Sequence, residues 1–238
     1  MKQRILYVIP HQDDELLTMG VSITRSSMEL KEVHVLLCSD GSRSKVRQRL
    51  NNGQTCEKHP GIHEYDLSIE EFIEARDREF KGSCKALGVR EENIHIPVRR
   101  ETDGSVLEEG VRDILYHDVS LKDYEKVISI YPFGSSQHKD HVAVGKAVWS
   151  LWKEGAISCA EFYLEPYCLK ASLEENDKLT VREVKAGFFL KKRVKEAISS
   201  YCLWRPEEGR YAVGYHSVKR DFDDYMEECR NYLIEVSK

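Results

Sequence analysis

The hydrophobic residues of this chain form short β-branched runs that alternate with longer segments of helical spacing. The first run, Ile5 to Ile9, is followed by an acidic patch and by a segment from Glu15 whose apolar residues recur at mixed helical intervals. A second run, Val33 to Cys38, stops at the turn residues Ser39 to Ser42. This order predicts a strand, a helix and a second strand.

The middle of the chain continues the alternation after a long polar stretch. Residues Ser42 to Ser68 exceed the usual length of a connection, which indicates a functional loop or lid where we expect substrate contacts. Ser68 and Glu71 have the spacing of a capping box, and this predicts a helix that runs to Leu87 and ends at Gly88. The pattern then predicts a strand at Asn93–Ile96, a helix at Val106–Tyr116, a strand at Lys126–Tyr131 and a helix that starts near His141.

The last third of the chain is less regular. Its pattern predicts a strand at Ala160–Leu164 and helices at Val184–Ser200 and Asp221–Glu235, with no linker between them. Since strands alternate with helices, the predicted class is α/β, a Rossmann-like and mostly parallel sheet flanked by helices with a less regular C-terminal portion. We expect one domain over residues 1–238, with a core at 1–155 that carries the motifs and a C-terminal part at 156–238.

Charge and composition restrict the partners. The 36 Lys and Arg residues against 41 Asp and Glu residues leave a net charge of -5, which does not favour nucleic acid as a partner. The apolar run at the start of the chain is too short for a signal peptide or a membrane span, so a cytoplasmic location is expected. Seven scattered cysteines fit reduced thiols better than a disulfide framework.

One cluster of candidate chemistry follows the first predicted strand. His11, Asp13, Asp14 and Glu15 bring an imidazole and three carboxylates within five residues, and crowded carboxylates need a cation. The alternative interpretation is that the carboxylates cap the next helix, where the helix dipole stabilises them. Capping alone does not account for His11.

A second cluster, His138-Lys139-Asp140-His141, follows the fourth predicted strand. Open parallel sheets have their sites at the carboxyl ends of the strands, and both clusters lie at such ends. Together they offer His, Asp and His as three ligands of a catalytic zinc ion, with the fourth position open and with a carboxylate and an imidazole left for proton transfer. Asp140 could instead be a simple helix cap.

These motifs resemble those of the zinc deacetylases that include the LmbE-like proteins, the PIG-L N-acetylglucosaminyl-phosphatidylinositol de-N-acetylases and the deacetylases of mycothiol and bacillithiol synthesis. The family motifs are His-Pro-Asp-Asp-Glu and His-x-Asp-His, and both are present except that Gln12 replaces the proline. The turn Ser39-Asp40-Gly41 and the helix from Arg76 to Val89 are also similar to family segments. The resemblance extends over roughly residues 3 to 155.

The resemblance implies a role for each motif residue. His11, Asp14 and His141 would bind the zinc ion. Asp13 would be the general base, His138 would stabilise the oxyanion as a charged donor, and Asp140 would orient His138 and keep it protonated. Arg76 resembles the family's substrate-binding arginine, although a solvated helix charge is the alternative.

The expected function is removal of an N-acetyl group from a small amino sugar or its conjugate. Two alternatives are a Mg²⁺- or Mn²⁺-dependent phosphohydrolase and a non-catalytic Rossmann-like sugar- or nucleotide-binding module, although no Gly-x-Gly-x-x-Gly follows the first strand. The basic run Arg43, Lys45, Arg47 and Arg49 is either an anion-attracting segment or a solvated loop. Cys56, His59 and His63 are loosely spaced like metal ligands, but no second pair completes a structural site. The sequence leaves open whether the chain forms a homo-oligomer.

Overall fold

The structure is a computed structural model that describes residues 3–54, 65–136 and 138–236. The loosely spaced Cys56, His59 and His63 lie outside the described residues. Within the described ranges no disulfide joins any of the six cysteines. No described helix is both long enough and apolar enough to cross a bilayer.

Strands and helices alternate along the first two thirds of the chain. In chain order the elements are β1 (Arg4–Ile9), α1 (Asp14–Leu17), α2 (Gly20–Met28), β2 (Glu32–Leu37), α3 (Val46–Asn51), α4 (Ile69–Ala86), β3 (Ile94–His95), α5 (Glu108–His117), β4 (Lys126–Ile130), α6 (Lys139–Glu154), β5 (Ala160–Leu164), α7 (Leu169–Glu175), β6 (Val181–Lys185), α8 (Phe188–Tyr201), β7 (Trp204–Arg205), β8 (Arg210–Tyr211), α9 (Val213–Ser217), α10 (Lys219–Glu228) and β9 (Arg230–Ile234).

A seven-stranded sheet in the order β3-β2-β1-β4-β5-β9-β6 forms the centre of the described structure. The five strands from β3 to β5 are parallel, while β9 runs antiparallel to both β5 and β6. The predicted fold class, a mostly parallel sheet flanked by helices, is confirmed. A short hairpin of β7 and β8 lies apart from this sheet.

Strand β1 is buried on both faces, which explains its continuous apolar run. Side chains alternate across a strand, so Ile5, Tyr7 and Ile9 pack into the hydrophobic cluster formed with α2, α4 and α8. Leu6 and Val8 point the other way, into the cluster formed with α5 and α6. Because β1 is sandwiched in this way, the residues that follow it begin from a rigid position.

The helix predicted after the long polar stretch is confirmed. Ser68 Oγ accepts a hydrogen bond from the amide of Glu71 at 3.1 Å, and the Glu71 carboxylate accepts one from the amide of Ser68 at 2.9 Å. The polar stretch itself is not all loop, because Val46–Asn51 forms α3 and buries Val46 and Leu50. The helix predicted from Glu15 is divided into α1 and α2.

Two predicted helices in the last third are wrong in part. Val181–Lys185 is a strand, and the helix predicted from Val184 begins only after Gly187. The helix predicted over Asp221–Glu235 ends at Glu228, where Cys229 has a φ of 43°, and Arg230–Ile234 pairs between β5 and β6 as β9. Pairing along both edges of this buried segment outweighs its helical spacing.

Candidate metal centre

Adjacent parallel strands bring the two histidine motifs together. β1 and β4 are neighbours in the sheet, so the turn that carries His11 and the start of α6 meet at the same sheet edge. His138 is the N-terminal cap of α6, and Asp140 and His141 lie in its first turn. The side chains of His11, Asp14 and His141 are each less than 10 % exposed.

Three donor atoms from these motifs form a small triangle. His11 Nδ1 and His141 Nε2 are 3.1 Å apart, and Asp14 Oδ2 lies 3.5 Å from the former and 3.1 Å from the latter. Ligands bound tetrahedrally at about 2.0–2.1 Å are about 3.3–3.4 Å from one another. The two imidazoles and the carboxylate therefore have the spacing of three ligands on one face of a zinc tetrahedron.

The electrostatics of this triangle favour a cation. Burial disfavours the charged form of His11, but contacts with Asp103, Asp14 and Asp140 raise its pKa well above the usual value. Burial likewise opposes charge on His141, whereas Asp14 and Glu165 raise its pKa to about 9. Burial alone would raise the pKa of Asp14, but His141 and His11 hold it far below the usual range. The field that favours protons on both imidazoles also favours a metal ion between them.

His138 lies beside the triangle. Its ring stacks on that of His141 with the centroids 4.6 Å apart, and it meets the His11 ring edge-on at 4.5 Å. His11, His138 and His141 also offer ligand atoms within 4.8 Å of one another. Burial, together with the neighbouring His11 and His141, lowers the pKa of His138. This direction favours a neutral N–H donor over the charged donor expected from the sequence.

Asp140 contacts His11 and not His138, which corrects the role expected for it. Asp140 Oδ2 lies 3.0 Å from His11 Nε2 and accepts a hydrogen bond from the amide of Gly104, and Oδ1 accepts one from the amide of Val106 at 3.2 Å. The buried Asp140 thus joins the first turn of α6 to the 104–106 turn and orients His11. It is more than a simple helix cap.

Asp103 makes a second contact with the same imidazole nitrogen. Its Oδ1 lies 3.3 Å from His11 Nε2, so that His11, Asp103 and Asp140 form a further group with ligand-like spacing. The other Asp103 oxygen accepts from the amide of Arg43 at 3.1 Å. Because backbone amides already occupy these carboxylates, the group is suited to fixing the His11 tautomer, the usual role of a carboxylate behind a metal-binding histidine.

Glu165, which follows β5, has the equivalent position behind His141. Glu165 Oε1 lies 2.8 Å from His141 Nδ1, and the carboxylate is fully buried. A proton held at Nδ1 by this contact leaves the Nε2 lone pair facing the triangle. Both histidines of the triangle are therefore oriented by carboxylates on their far sides.

Asp13 has the strained backbone that is common at functional sites. Its φ is 108°, a value that non-glycine residues rarely adopt. Burial and the neighbouring charge of Asp14 raise the pKa of Asp13 to about 7, with Arg76 acting in the opposite direction. The amide of Asp13 donates to the Glu15 carboxylate at 3.1 Å, and the Tyr201 hydroxyl donates to the other Glu15 oxygen at 2.8 Å.

Arg76 of α4 joins the two loops above the sheet edge. Its guanidinium donates to the carbonyls of Gly41 and Gln12, both at 3.0 Å, and lies 3.8 Å from Asp13 Oδ2. The side chain is 5 % exposed and also borders the cavity over the site. Arg76 is therefore no solvated helix charge, and its contacts are those of a residue that positions Asp13.

Gln12 stands where the family motif has a proline, and its side chain forms hydrogen bonds that hold the turn. Its Nε2 donates to the Asp40 carbonyl at 3.2 Å and to Asp77 Oδ1 at 2.9 Å. Asp77 in turn accepts from Arg100 at 2.7 Å. The rigidity that a proline ring supplies within the chain is supplied here by contacts to the β2 turn and to α4.

A cavity of about 830 Å³ opens over the site. Its floor holds the motif residues His11, Asp13, Asp14, His138 and His141, and its walls come from two other parts of the chain. One wall carries Arg43, Ser44, Lys45 and Arg49 from the predicted polar loop, and the other carries Tyr225, Glu228, Arg230 and Tyr232 from the end of the chain.

The sequence did not point to Asp103 or Glu165 as members of the site. Glu165 had a signal, because it directly follows the predicted strand Ala160–Leu164 and sites gather at the carboxyl ends of parallel strands. Asp103 had none, because its place at this sheet edge follows from the isolated bridge between Ser39 and Glu101, which only the structure shows.

The sequence model of the family described as PIG-L, GlcNAc-PI de-N-acetylase, matches residues 6–152. This chain belongs to that family. No curated protein matches the chain in sequence.

Solved structures with the same fold span more than one kind of enzyme. N,N'-diacetylchitobiose deacetylase from Pyrococcus horikoshii aligns with a TM-score of 0.58 at 19 % identity, over 86 % of this chain and 72 % of its own. A deacetylase of teicoplanin biosynthesis aligns with a TM-score of 0.69 at 13 % identity, over 99 % of both chains. The 4-carboxy-2-hydroxymuconate hydratase of Pseudomonas putida aligns with a TM-score of 0.57 at 15 % identity, over 99 % of this chain and 98 % of its own. At these identities the likeness is one of fold.

Proposed function

We propose that this protein is a zinc-dependent hydrolase that removes an N-acetyl group from an amino sugar or its conjugate. The observation that carries the proposal is the triangle of His11 Nδ1, Asp14 Oδ2 and His141 Nε2, with the strained Asp13 beside it at the floor of the cavity. These three residues would hold the ion. When bound, zinc supplies a Lewis acid for the amide carbonyl and lowers the pKa of a water molecule to about 7.

Asp13 is the general base in this proposal. Burial and the neighbouring Asp14 raise the pKa of Asp13, which suits a carboxylate that accepts a proton from the attacking water and returns it to the leaving amine. Arg76 and the amide contact to Glu15 hold Asp13 in position. Its orientation therefore does not depend on the substrate.

His138 is the donor to the developing oxyanion. Its ring borders the cavity and is fixed by stacking on His141, so it can direct an N–H at the carbonyl oxygen of a bound amide. Asp140 and Glu165 act through other residues, since they orient His11 and His141.

The cavity supports a substrate larger than a simple acetamide. A volume of about 830 Å³ is near the upper end of the range for small-molecule sites, about 300–1,000 Å³. The deacetylases of similar fold are named for an acetylated disaccharide and for an antibiotic pathway. An N-acetylated sugar joined to a second unit fits the space between the Arg43 wall and the Tyr225 wall.

The donor set separates this proposal from a phosphohydrolase. Two imidazole nitrogens and one carboxylate suit zinc, whereas Mg²⁺ and Mn²⁺ sites are built mainly from oxygen ligands. The structure of similar fold that is named a hydratase shows that a second kind of reaction, a hydration, occurs on this scaffold. A hydratase would release no acetate.

The test combines a substrate panel with one matched pair of variants. The panel contains N-acetylglucosamine, its phosphates, diacetylchitobiose and thiol-conjugated glucosaminides, and acetate release is measured for each with zinc-loaded protein. Replacement of Asp13 by Asn should lower the rate by about 10²–10⁴-fold and leave the zinc content near one ion per chain. The matched variant Asp113→Asn alters an exposed carboxylate of α5, away from the site, and should keep most of the rate.

Three results would overturn the proposal: protein that binds no zinc, an Asp13→Asn variant with the full rate, and phosphoester hydrolysis of the sugar phosphates in the panel that is faster than acetate release. Loss of metal on replacement of His141 by Ala, with the fold retained, is the expected companion result.

A further inference from the structure

An apolar patch with basic neighbours lies at the start of α8, outside the cavity of the metal centre. Phe188 and Phe189 are 85 % and 75 % exposed, and Met28 and Leu30 at the end of α2 are 47 % and 72 % exposed. Met28 and both phenylalanines border one shallow opening of about 300 Å³ between α2 and α8. We call these four residues the α8 patch. Exposed apolar clusters of this kind mark interaction surfaces.

The helix that carries the phenylalanines is firmly attached to the core. Val194, Ala197, Ile198 and Tyr201 of α8 are buried in the cluster shared with α2 and α4. The first turn of α8 extends beyond this buried part. Phe188 and Phe189 are consequently held outward by a rigid element, and their exposure does not come from a loose segment.

Basic side chains surround the patch. Lys192 and Arg193 come four residues after Phe188 and Phe189, so each shares a helix face with one phenylalanine, and Lys195 follows one turn further on. All three are exposed and form no ion pair with a described residue. From Val184 to Lys195 the chain has five basic residues and no acidic one, although the whole chain has a net charge of -5. The charge is therefore concentrated locally.

We propose that the α8 patch binds the surface of a membrane that contains anionic lipids. Phenylalanines that project from a helix end can enter the boundary between headgroups and acyl chains, while the lysines and arginine beside them contact the lipid phosphates. Among the acidic side chains near the patch, Glu29 and Glu183 are paired with Lys31 and Lys185, and Glu196 lies on α8 one turn beyond Lys192, farther from the phenylalanines.

The test measures binding of the full chain to lipid vesicles by co-sedimentation. Vesicles of phosphatidylcholine are compared with vesicles that also contain about 30 % phosphatidylserine, at low and at high salt. We expect binding to the anionic vesicles that weakens with salt. The double variant Phe188→Ser with Phe189→Ser should bind at least about tenfold more weakly. The charge reversal Lys192→Glu with Arg193→Glu should bind at least about 25-fold more weakly, since each basic residue near such a surface contributes about fivefold.

Matched controls separate the patch from general surface effects. Val98→Ser with Leu173→Ser removes exposed apolar groups elsewhere, and Lys122→Glu with Lys170→Glu reverses two exposed charges elsewhere. Both controls should bind like the unaltered chain. The proposal is overturned if the unaltered chain binds neither vesicle, if the patch variants bind no more weakly than the controls, or if light scattering finds a dimer that the phenylalanine substitutions dissociate.

Discussion

Replacing Glu165 tests how strongly the carboxylate behind His141 controls metal affinity. Glu165 Oε1 contacts His141 Nδ1 at 2.8 Å, and Oε2 has no hydrogen-bond partner in the part of the chain that the structure describes. A glutamine at this position can keep the contact to His141 and breaks no other described hydrogen bond. The variant Glu165→Gln therefore removes the negative charge with little other change.

The magnitude follows from the kind of contact that is lost. Removal of a carboxylate behind a metal-binding histidine typically weakens metal affinity by about 10–100-fold, or roughly 1.4–2.7 kcal/mol. Glu165→Gln keeps a neutral acceptor for the His141 N–H but removes the negative charge that strengthens this hydrogen bond. We therefore expect a loss of zinc affinity of about tenfold. Glu165→Ala also leaves the His141 N–H without a partner, so we expect the hundredfold end.

The assay is a competition titration of metal-free protein with zinc and a chelating indicator. Glu79→Gln is the matched control, because Glu79 is another buried carboxylate but accepts hydrogen bonds from the amides of Val213 and Gly214 at 2.7 and 2.9 Å. This control should lower the free energy of unfolding by about 1.5–3 kcal/mol and leave zinc affinity unchanged. Zinc binding by both Glu165 variants as tight as that of the unaltered chain would refute the reasoning.

Two further predictions concern the residues around Asp13. In metal-free protein, burial raises the pKa of Glu15 to about 8. In the unfolded chain Glu15 ionises near its ordinary pKa, so between that pKa and about 8 the folded state binds more protons than the unfolded state. The free energy of unfolding of the unaltered chain, relative to that of a Glu15→Gln variant, should therefore fall as the pH rises from about 5 to 8. Urea unfolding that gives the same difference in free energy between the two proteins at both pH values would contradict this. Arg76→Gln removes the positive charge and cannot keep both carbonyl contacts, so it should lower the free energy of unfolding by about 1.5–3 kcal/mol. Because Arg76 lowers the pKa of Asp13, the acidic limb of the pH–rate profile should also move to higher pH. An unchanged melting curve and an unchanged profile would count against a positioning role for Arg76.

Local patterns were sufficient for much of the parallel part of the sheet. The buried run of β1, the capping box of α4 and the strand Ala160–Leu164 each depend on residues close in sequence, and all three are present. The C-terminal strand could not be recognised in the same way. Arg230–Ile234 is a strand because β5 and β6 offer it two free edges, and those edges are remote in sequence.

The candidate metal centre also has a part that local sequence predicts and a part that depends on the tertiary structure. Two short motifs and one helix were enough to predict the candidate site residues, because each motif is local and follows a strand. These residues are His11, Asp13, Asp14, Arg76, His138, Asp140 and His141. Which side chain contacts which was decided by the tertiary structure: Asp140 faces His11 and not His138, and Arg76 binds two loop carbonyls.

What the sequence by itself determined was the fold class, the strand ends that carry the chemistry and the family. Only the tertiary structure decided the partners of each side chain, the carboxylates Asp103 and Glu165 behind the two histidines, and the cavity wall supplied by residues 225–232. The physical reason is distance along the chain. Helix caps and strand alternation depend on neighbouring residues, whereas the orientation of an imidazole depends on carboxylates that approach it from elements far away in sequence.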